Sequence, residues 1–254
     1  FLTAVTAFSQ TPMKTAAEAK LSASDLAVKI ADRILATTTY EFKNTKTGKT
    51  YKSVKNLPVD MNVKVACKYN NWHYTNGVTH IALMELADKT GAKKYDDYVL
   101  KNMNFVFNEG NLDFFKKQYD QAMKNEGWYG VRKLSWHMIF RGKRLDDNGP
   151  MGASLIDLQM KHPNNSFLNY INETAEHLNY GEPRLADGTI ARIWPHENTI
   201  WADDAFMAIS FLARMAKMTG DMSYINDAAN QVIKYHKYLW CPEKRILYHC
   251  YHTD

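Results

Sequence analysis

Two stretches of the sequence repeat one pattern at a constant spacing, and this repeat limits the folds that the chain can adopt. Residues 71–99 (NWHYTNGVTHIALMELADKTGAKKYDDYV) align with residues 200–228 (IWADDAFMAISFLARMAKMTGDMSYINDA) at an offset of 129 residues. A weaker third copy spans residues 144–170, where Phe167 takes the place of Tyr95. Each copy predicts an apolar helix, a tight turn and a second helix. Since one such unit cannot bury its apolar face alone, the copies must pack on one another.

The remaining sequence is mostly helical in period. Residues 22–42 open with a Ser/Asp cap and place Leu26, Ile30, Ile34 and Leu35 on one helical face. The segment RLADGTIARIW predicts a hairpin, because an Asp-Gly turn separates two short alternating runs. With 45% hydrophobic and 23% charged residues, the 254-residue chain has the composition of a soluble globular protein with one large core or two small ones.

The charge and the cysteine content restrict the kinds of ligand, disulfide and metal site that the sequence predicts. The formal net charge of +5 suits an anionic ligand, but the lysines and arginines are scattered, which disfavours nucleic acid. Cys67, Cys241 and Cys250 are odd in number and lack zinc-site spacing, so they predict neither a disulfide framework nor a metal centre. No stretch reaches the roughly 18 apolar residues of a membrane span.

The N-terminal residues predict export. The segment FLTAVTAFSQ is apolar and rich in small residues, like the end of a secretory signal peptide. We therefore expect residues 1–12 to be a signal-peptide remnant and the protein to be periplasmic or secreted. An ordinary apolar segment, or a start at Met13, is the alternative. Residues 13–254 are predicted to form a single α/α toroid domain.

Polar and aromatic residues mark the start of the first helix in each copy of the repeat. These residues are Trp72 and Tyr74, Asp146 and Asp147, and Trp201 and Asp203 with the adjacent Asp204. An aspartate at such a position often only caps the helix. If the helices run parallel around one axis, however, their starts converge on one mouth. The pattern thus predicts an all-α toroid with an acidic, aromatic cleft.

Two carboxylates across an aromatic cleft suit acid–base chemistry on a sugar. One carboxyl can stay protonated through burial or repulsion while the other ionises. Indole faces can stack on sugar rings, and His249 or His252 can contact a polar substituent. Taken singly, each residue also has an ordinary structural explanation as a cap, a core aromatic or a surface histidine. No metal ion or cofactor is predicted.

Several blocks of the sequence resemble glycoside hydrolase family 105, the unsaturated rhamnogalacturonyl hydrolases, and the related family 88 unsaturated glucuronyl hydrolases. The likeness runs from about Trp72 to the end of the chain. The blocks that carry it are NWHYTNGV, LDDNGPMGASL, TIWADDAFMAISFLARMAKMTGD and CPEKRILYHCYHTD. The Trp-x-Asp-x-x-x-Met block, together with the later LYH, is the most specific part of the resemblance.

The resemblance implies an (α/α)6 barrel and an unusual hydrolysis. The substrate would be a lyase-generated, anionic oligosaccharide that ends in a 4,5-unsaturated uronic acid. An acid protonates carbon 4, water adds at carbon 5, and the hemiketal opens. By motif, Asp203 is the general acid/base and Asp147 its partner carboxylate, while Asp146 and Asp204 are capping or supporting residues. The residues Trp72, Tyr74, Trp201 and His249 would bind the sugar.

The chain departs from the family pattern in ways that leave other functions open. Six hairpins of roughly 50 to 60 residues need more than about 300 residues, so about four fit, and we expect an incomplete toroid that lacks its C-terminal hairpins. Cys250 stands where the family often has glycine. An ordinary inverting glycosidase, a non-catalytic sugar-binding remnant and a protein-binding helical repeat are the alternatives.

Overall fold

The computed structural model describes residues 22–142 and 144–253, so the predicted signal-peptide remnant lies outside the described residues. The described part of the chain is mostly helical, as predicted. Its α-helices are α1 (Ala23–Thr37), α2 (Tyr74–Thr90), α3 (Lys94–Val106), α4 (Glu109–Glu126), α5 (Trp128–Val131), α6 (Leu145–Lys161), α7 (Asn165–Glu176), α8 (Ala202–Thr219) and α9 (Met222–Leu239). A 3₁₀ turn spans His137–Phe140, and a π-helical turn spans His177–Gly181. None of the described helices combines the length and the apolar character needed to cross a membrane.

Short antiparallel strands pair in three places. The strands are β1 (Phe42–Asn44), β2 (Thr50–Tyr51), β3 (Val63–Val65), β4 (Thr199–Trp201), β5 (Trp240–Cys241), β6 (Ile246–Leu247) and β7 (Cys250–His252). The first three form a sheet in the order β2-β1-β3, while β4 pairs with β7 and β5 with β6. The predicted Asp-Gly hairpin is present as a tight turn: Arg184 bridges Ile190, and Gly188 has a φ of +81°. The β4–β7 pair ties the C-terminal segment to the start of α8.

The three predicted helical hairpins are confirmed. They are α2 with α3, α6 with α7, and α8 with α9. Two of them turn at the predicted glycines: Gly91 and Gly220 end α2 and α8 with φ values of +71° and +76°, a left-handed conformation that glycine adopts without steric cost. The equivalent aromatic residues of the second helices point inward, since Tyr95 and Phe167 are buried and Tyr224 packs against the core.

Helix α1 begins at the predicted cap, where Ser22 accepts a hydrogen bond from the Asp25 backbone N–H. Its predicted apolar face is only half covered. Ile34 packs against the core, as does Leu35, but Leu26 and Ile30 are exposed. The first two turns of α1 extend beyond the elements on which its C-terminal half packs.

Helix α6 lies between α2 and α8, and glycines allow the three backbones to approach closely. A Cβ on Gly77 of α2 would fall less than 3.0 Å from the α6 backbone at Pro150 and Met151. A Cβ on Gly149 of α6 would likewise fall less than 3.0 Å from the α8 backbone at Met207. Backbone atoms cannot swing aside as a flexible side chain can, so these two positions fix the separation of the three helices.

Replacing Gly149 with alanine should therefore destabilise the protein by at least about 1–3 kcal/mol, the usual cost of overpacking a core. Gly110→Ala in α4 is the matched control. Its Cβ would meet only Asn108 Oδ1 at 3.4 Å and the side chain of Lys55. Alanine is the better helix former by up to about 1 kcal/mol, so this control should be neutral or stabilising. Urea unfolding of both variants measures the difference, and equal stabilities would contradict the close approach of α6 and α8.

Candidate active site

The starts of α2, α6 and α8 lie together, as the repeat predicted. The indole Nε1 of Trp72, just before α2, donates a hydrogen bond to the backbone carbonyl of Asp147 in α6 at 2.8 Å. Arg192 then joins α6 to α8, because its Nη2 lies 3.4 Å from Asp146 and 3.2 Å from Asp203. The predicted convergence of the three helix starts is confirmed.

Neither acidic pair caps its helix. The N-cap residues are Arg144 for α6 and Trp201 for α8, and neither makes a side-chain cap hydrogen bond. The carboxylates of the first turns are turned instead toward arginine side chains. Capping therefore does not explain why each helix begins with two aspartates.

Arg192 is the centre of an acidic cluster formed by Asp146, Asp203 and Asp204. Its Nε and Nη2 each donate to Asp204 at 2.7 Å, and Nη2 also reaches the other two carboxylates. One oxygen from each of the three aspartates lies within 4.8 Å of the others. Such a set of oxygens could hold a divalent cation, but the guanidinium already supplies positive charge there.

Three carboxylates share one guanidinium, so the cluster carries excess negative charge when all are ionised. Asp204 is 2% exposed, and burial raises its pKa to about 6, while the hydrogen bonds from Arg192 oppose that rise. The neighbouring Asp146 and Asp203 raise the pKa of Asp204 further. Asp204 therefore takes up a proton at a higher pH than an ordinary aspartate does.

Asp203 is the member of the cluster that faces outward. Its side chain is 41% exposed, compared with 2% for the adjacent Asp204. Neighbouring residues on a helix point about 100° apart, so the two side chains face different surroundings. Asp203 Oδ2 is 3.2 Å from Arg192, whereas Asp203 Oδ1 is buried and has no hydrogen-bond partner among the described residues. The exposed part of the Asp203 side chain therefore does not include Oδ1.

Trp201 and His249 lie beside Asp203, and the β4–β7 pair places them there. Trp201 pairs with Cys250 in that ladder, and the backbone N–H of Ala202 donates to the carbonyl of His249 at 2.8 Å. As a result, His249 Nε2 lies 3.8 Å from Asp203 Oδ1. The rings of Trp201 and His249 meet edge to face with centroids 5.0 Å apart. The Arg192 guanidinium lies 4.6 Å from the centre of the Trp201 ring.

Tyr74 and Trp72, the two residues predicted at the start of the first copy of the repeat, differ in their exposure to solvent. Tyr74 is partly exposed and lies against His73, with ring centroids 4.4 Å apart. Trp72 is 0% exposed and packs edge to face on Tyr170 at 4.7 Å, so its indole cannot stack on a sugar. The prediction that Trp72 shapes the sugar pocket is corrected: it supports α6 from within the core.

Asp147 is buried, and Arg141 binds both of its carboxylate oxygens. Burial raises the pKa of Asp147, and the hydrogen bonds from Arg141 oppose that rise. The structure brings Asp146, rather than Asp147, into the cluster around Arg192. Asp146 is therefore more than a cap, and the role of Asp147 as the second catalytic carboxylate stays a prediction.

A cavity of about 280 Å³ opens beside the cluster. Its lining comes from the start of α6, the π-helical turn and the segment around Arg192. The lining residues are Arg144, Leu145, Asp146, His177, Gly181, Glu182, Pro183, Ala191, Arg192, Ile193, Trp194 and Asp204. Among these lining residues, His177 Nε2 and Glu182 Oε2 are 2.8 Å apart.

The sequence prediction missed Arg192 and Arg141, the two arginines that hold the acidic residues. A signal for Arg192 existed in the predicted hairpin RLADGTIARIW. The backbone of Arg192 exchanges two hydrogen bonds with Thr199, the first residue of β4. Because β4 leads directly into α8, this pairing places Arg192 near the first turn of α8. The pairing of Arg141 with Asp147 had no comparable local signal.

The sequence profile of Glycosyl Hydrolase Family 88 matches residues 46–254, which include every residue of the cluster. The chain belongs to this family. A comparison with curated protein sequences finds no significant match.

Solved structures show the same fold. A possible family 105 member from Klebsiella pneumoniae superposes with a TM-score of 0.59 at 14% identity, covering 98% of this chain and 58% of that protein. A family 105 glycoside hydrolase from C. acetobutylicum superposes at 0.52 with 20% identity over 72% of this chain and 44% of that one. The α-1,6-mannanase GH76A of Salegentibacter reaches 0.53 at 14% identity, covering 91% and 56%. The fold is thus that of the (α/α)-barrel glycosidases, and the chain spans between 44% and 58% of the length of these proteins.

Removing the central guanidinium should be costly and pH-dependent. Arg192→Met leaves Asp204 buried beside two other acids, so we expect a loss of about 3–5 kcal/mol at pH 8. Without Arg192 the pKa of Asp204 rises above about 6. As pH falls from 8 to 5 the carboxyls protonate in the folded variant, and the deficit in melting temperature relative to wild type should shrink.

Arg214→Met is the matched control for this variant. Arg214 has the same 20% side-chain exposure as Arg192 but faces one carboxylate, Asp157, at 2.7 Å. Arg214→Met should lower the stability less than Arg192→Met does, and its effect on the melting temperature should depend less on pH. Equal losses in the two variants at every pH would show that the shared cluster has no special energetic role.

Proposed function

We propose that this protein is a glycoside hydrolase that removes a 4,5-unsaturated uronic acid from the end of lyase-generated oligosaccharides. The observation that carries the proposal is the position of Asp203. It is a partly exposed carboxylate, held at a helix start by Arg192 and lying beside His249, within the part of the chain that matches Family 88.

In the proposed reaction Asp203 delivers a proton to carbon 4 of the vinyl ether. Water then adds at carbon 5 and gives a proton back to the ionised Asp203, the resulting hemiketal opens, and the glycosidic bond separates. The reaction needs a protonated carboxyl in the site. The surplus of carboxylates over guanidinium supports this, because burial and repulsion from Asp146 and Asp203 raise the pKa of the adjacent Asp204 to about 6.

Residues around Asp203 fit substrate binding. His249 is 74% exposed and its Nε2 lies 3.8 Å from Asp203 Oδ1, so its ring can contact both the carboxyl and a sugar hydroxyl. Trp201 and Tyr74 are partly exposed and offer aromatic surface at the starts of α8 and α2. We propose these three residues as the sugar-binding set and leave Trp72 as a supporting residue.

An ordinary inverting glycosidase that uses Asp203 and Asp147 as its two acids is the second candidate. Inverting enzymes hold their two carboxyl groups roughly 6.5–9.5 Å apart to leave room for water. Asp146 does not suit the partner role in that reaction, because one of its oxygens lies within 4.8 Å of an oxygen of Asp203. Turnover of an unsaturated disaccharide compared with its saturated counterpart separates the two functions. Cleavage of only the saturated sugar would refute the proposal.

The finer substrate class rests on the sequence motifs. We propose a pectic, rhamnogalacturonan-type oligosaccharide, since the motif blocks resemble the rhamnogalacturonyl hydrolases most. We also propose that the protein acts in the periplasm or outside the cell, on the composition of residues 1–10. Rates on unsaturated galacturonyl-rhamnose and unsaturated glucuronyl-hexosamine disaccharides compare the substrates directly.

Asp203→Asn should lower turnover by about 10² to 10⁴, the usual contribution of a positioned acid or base. Its stability should change little, because the side chain is half exposed and caps nothing. Asp204→Asn should show the opposite pattern. Activity should stay within about tenfold, while stability falls because a buried ion pair with Arg192 is broken. The loss of vinyl-ether absorbance and thermal unfolding measure the two properties. An inactive Asp204→Asn beside an active Asp203→Asn would reverse the assignment.

A second pair of variants identifies the partner carboxylate. The family motif assigns this role to Asp147, and we keep that assignment as the proposal. Asp147→Asn should then lower turnover by at least about tenfold at unchanged substrate affinity, and Asp146→Asn should have the smaller effect. Steady-state rates at saturating substrate test this. A larger loss for Asp146→Asn would transfer the role to the carboxylate that lies closest to Asp203.

A further inference from the structure

Arg144 and Trp194 both line the cavity beside the acidic cluster. Arg144 directly precedes α6, and Trp194 lies in the segment between Arg192 and β4. The Arg144 guanidinium carbon is 4.9 Å from the centre of the Trp194 ring. Two elements that are distant in sequence thus place a cation and an aromatic ring side by side at the cavity.

The charges of the cavity leave Arg144 available for a ligand. Arg192 is shared by three aspartates, and His177 faces Glu182. Arg144 makes no ion pair and no side-chain hydrogen bond with residues 22–142 and 144–253. Its five N–H donors therefore remain open on a side chain that lines the cavity, in a geometry that matches a carboxylate.

Trp194 is 61% exposed although Arg144 lies against its ring. A guanidinium stacked on an indole covers one face, so the exposed area leaves the other face open to solvent. Indole rings offer a large, rigid apolar surface at low entropic cost. The cavity of about 280 Å³ is near the lower limit of small-molecule sites, roughly 300 Å³, which suits one sugar unit.

We propose that Arg144 and Trp194 form a subsite for a sugar that carries a carboxylate, with the ring on Trp194 and the carboxylate on Arg144. The inference rests on the proposed function for taking the ligand to be a sugar. Asp146 and Asp204, which also line the cavity, repel a ligand carboxylate, so the acidic group is directed toward Arg144. The pair selects acidic over neutral glycans and sets the direction in which the oligosaccharide binds.

Calorimetric binding of two matched ligands to the wild-type chain tests the subsite. Digalacturonate and its methyl diester share size and hydroxyl groups and differ in charge, and neither is an unsaturated substrate. Wild type should bind the acid at least about tenfold more tightly, as expected for a hydrogen bond to a charged group. Arg144→Gln should lose that preference while keeping its affinity for the ester. Trp194→Ala should weaken both ligands.

Arg132→Gln is the matched control, because Arg132 is also exposed and stacks on an aromatic ring, Tyr129, at 5.0 Å. It should bind both ligands as wild type does, and circular dichroism checks that each variant is folded. The subsite is overturned if wild type binds neither ligand, if it binds both equally, or if Arg144→Gln keeps the preference. Charge-selective binding without turnover of unsaturated substrates would contradict the proposed reaction and leave the subsite standing.

Discussion

The close approach of α6 to α2 and α8 is the constraint on which the rest of the structure depends. Gly77 and Gly149 bring backbone against backbone, and side chains at these positions would push the three helices apart. The same helices carry the aromatic and acidic residues at their starts. Because the separation of the helices is fixed by backbone atoms, the distances between those starts are fixed as well. Core packing thus sets the geometry of the candidate active site.

At the starts of α6 and α8, three carboxylates surround the single guanidinium of Arg192, so negative charge is in excess. Arg192 holds Asp204 by two short hydrogen bonds and reaches two further acids. A fully compensated cluster would be a structural feature with ionised carboxylates. The excess of acids, together with burial, raises the pKa of Asp204, the residue next to Asp203. The loss of stability caused by this excess of acids is concentrated around Asp203, where the chemistry is proposed.

Much of the fold was predictable from local sequence. The 129-residue repeat located three helical hairpins, and the glycines that end α2 and α8 were readable as turns. The small β1–β3 sheet and the β4–β7 pair were not predicted, because strands of two or three residues are too short to show alternation. The latter pair matters most for function, since it carries His249 to Asp203.

The sequence by itself determined which residue types gather at one mouth: acids and aromatics at the starts of equivalent helices. The helical period allowed only one of Asp203 and Asp204 to face the cleft, and the repeat register and the Trp-x-Asp motif selected Asp203. Only the tertiary structure decided their partners. It buried Trp72, bound Asp147 to Arg141 and brought Asp146 to Arg192. Adjacent residues on a helix point about 100° apart, so a rotation of α6 against its neighbours exchanges Asp146 with Asp147. That rotation is set by long-range packing, which leaves no local trace in the sequence.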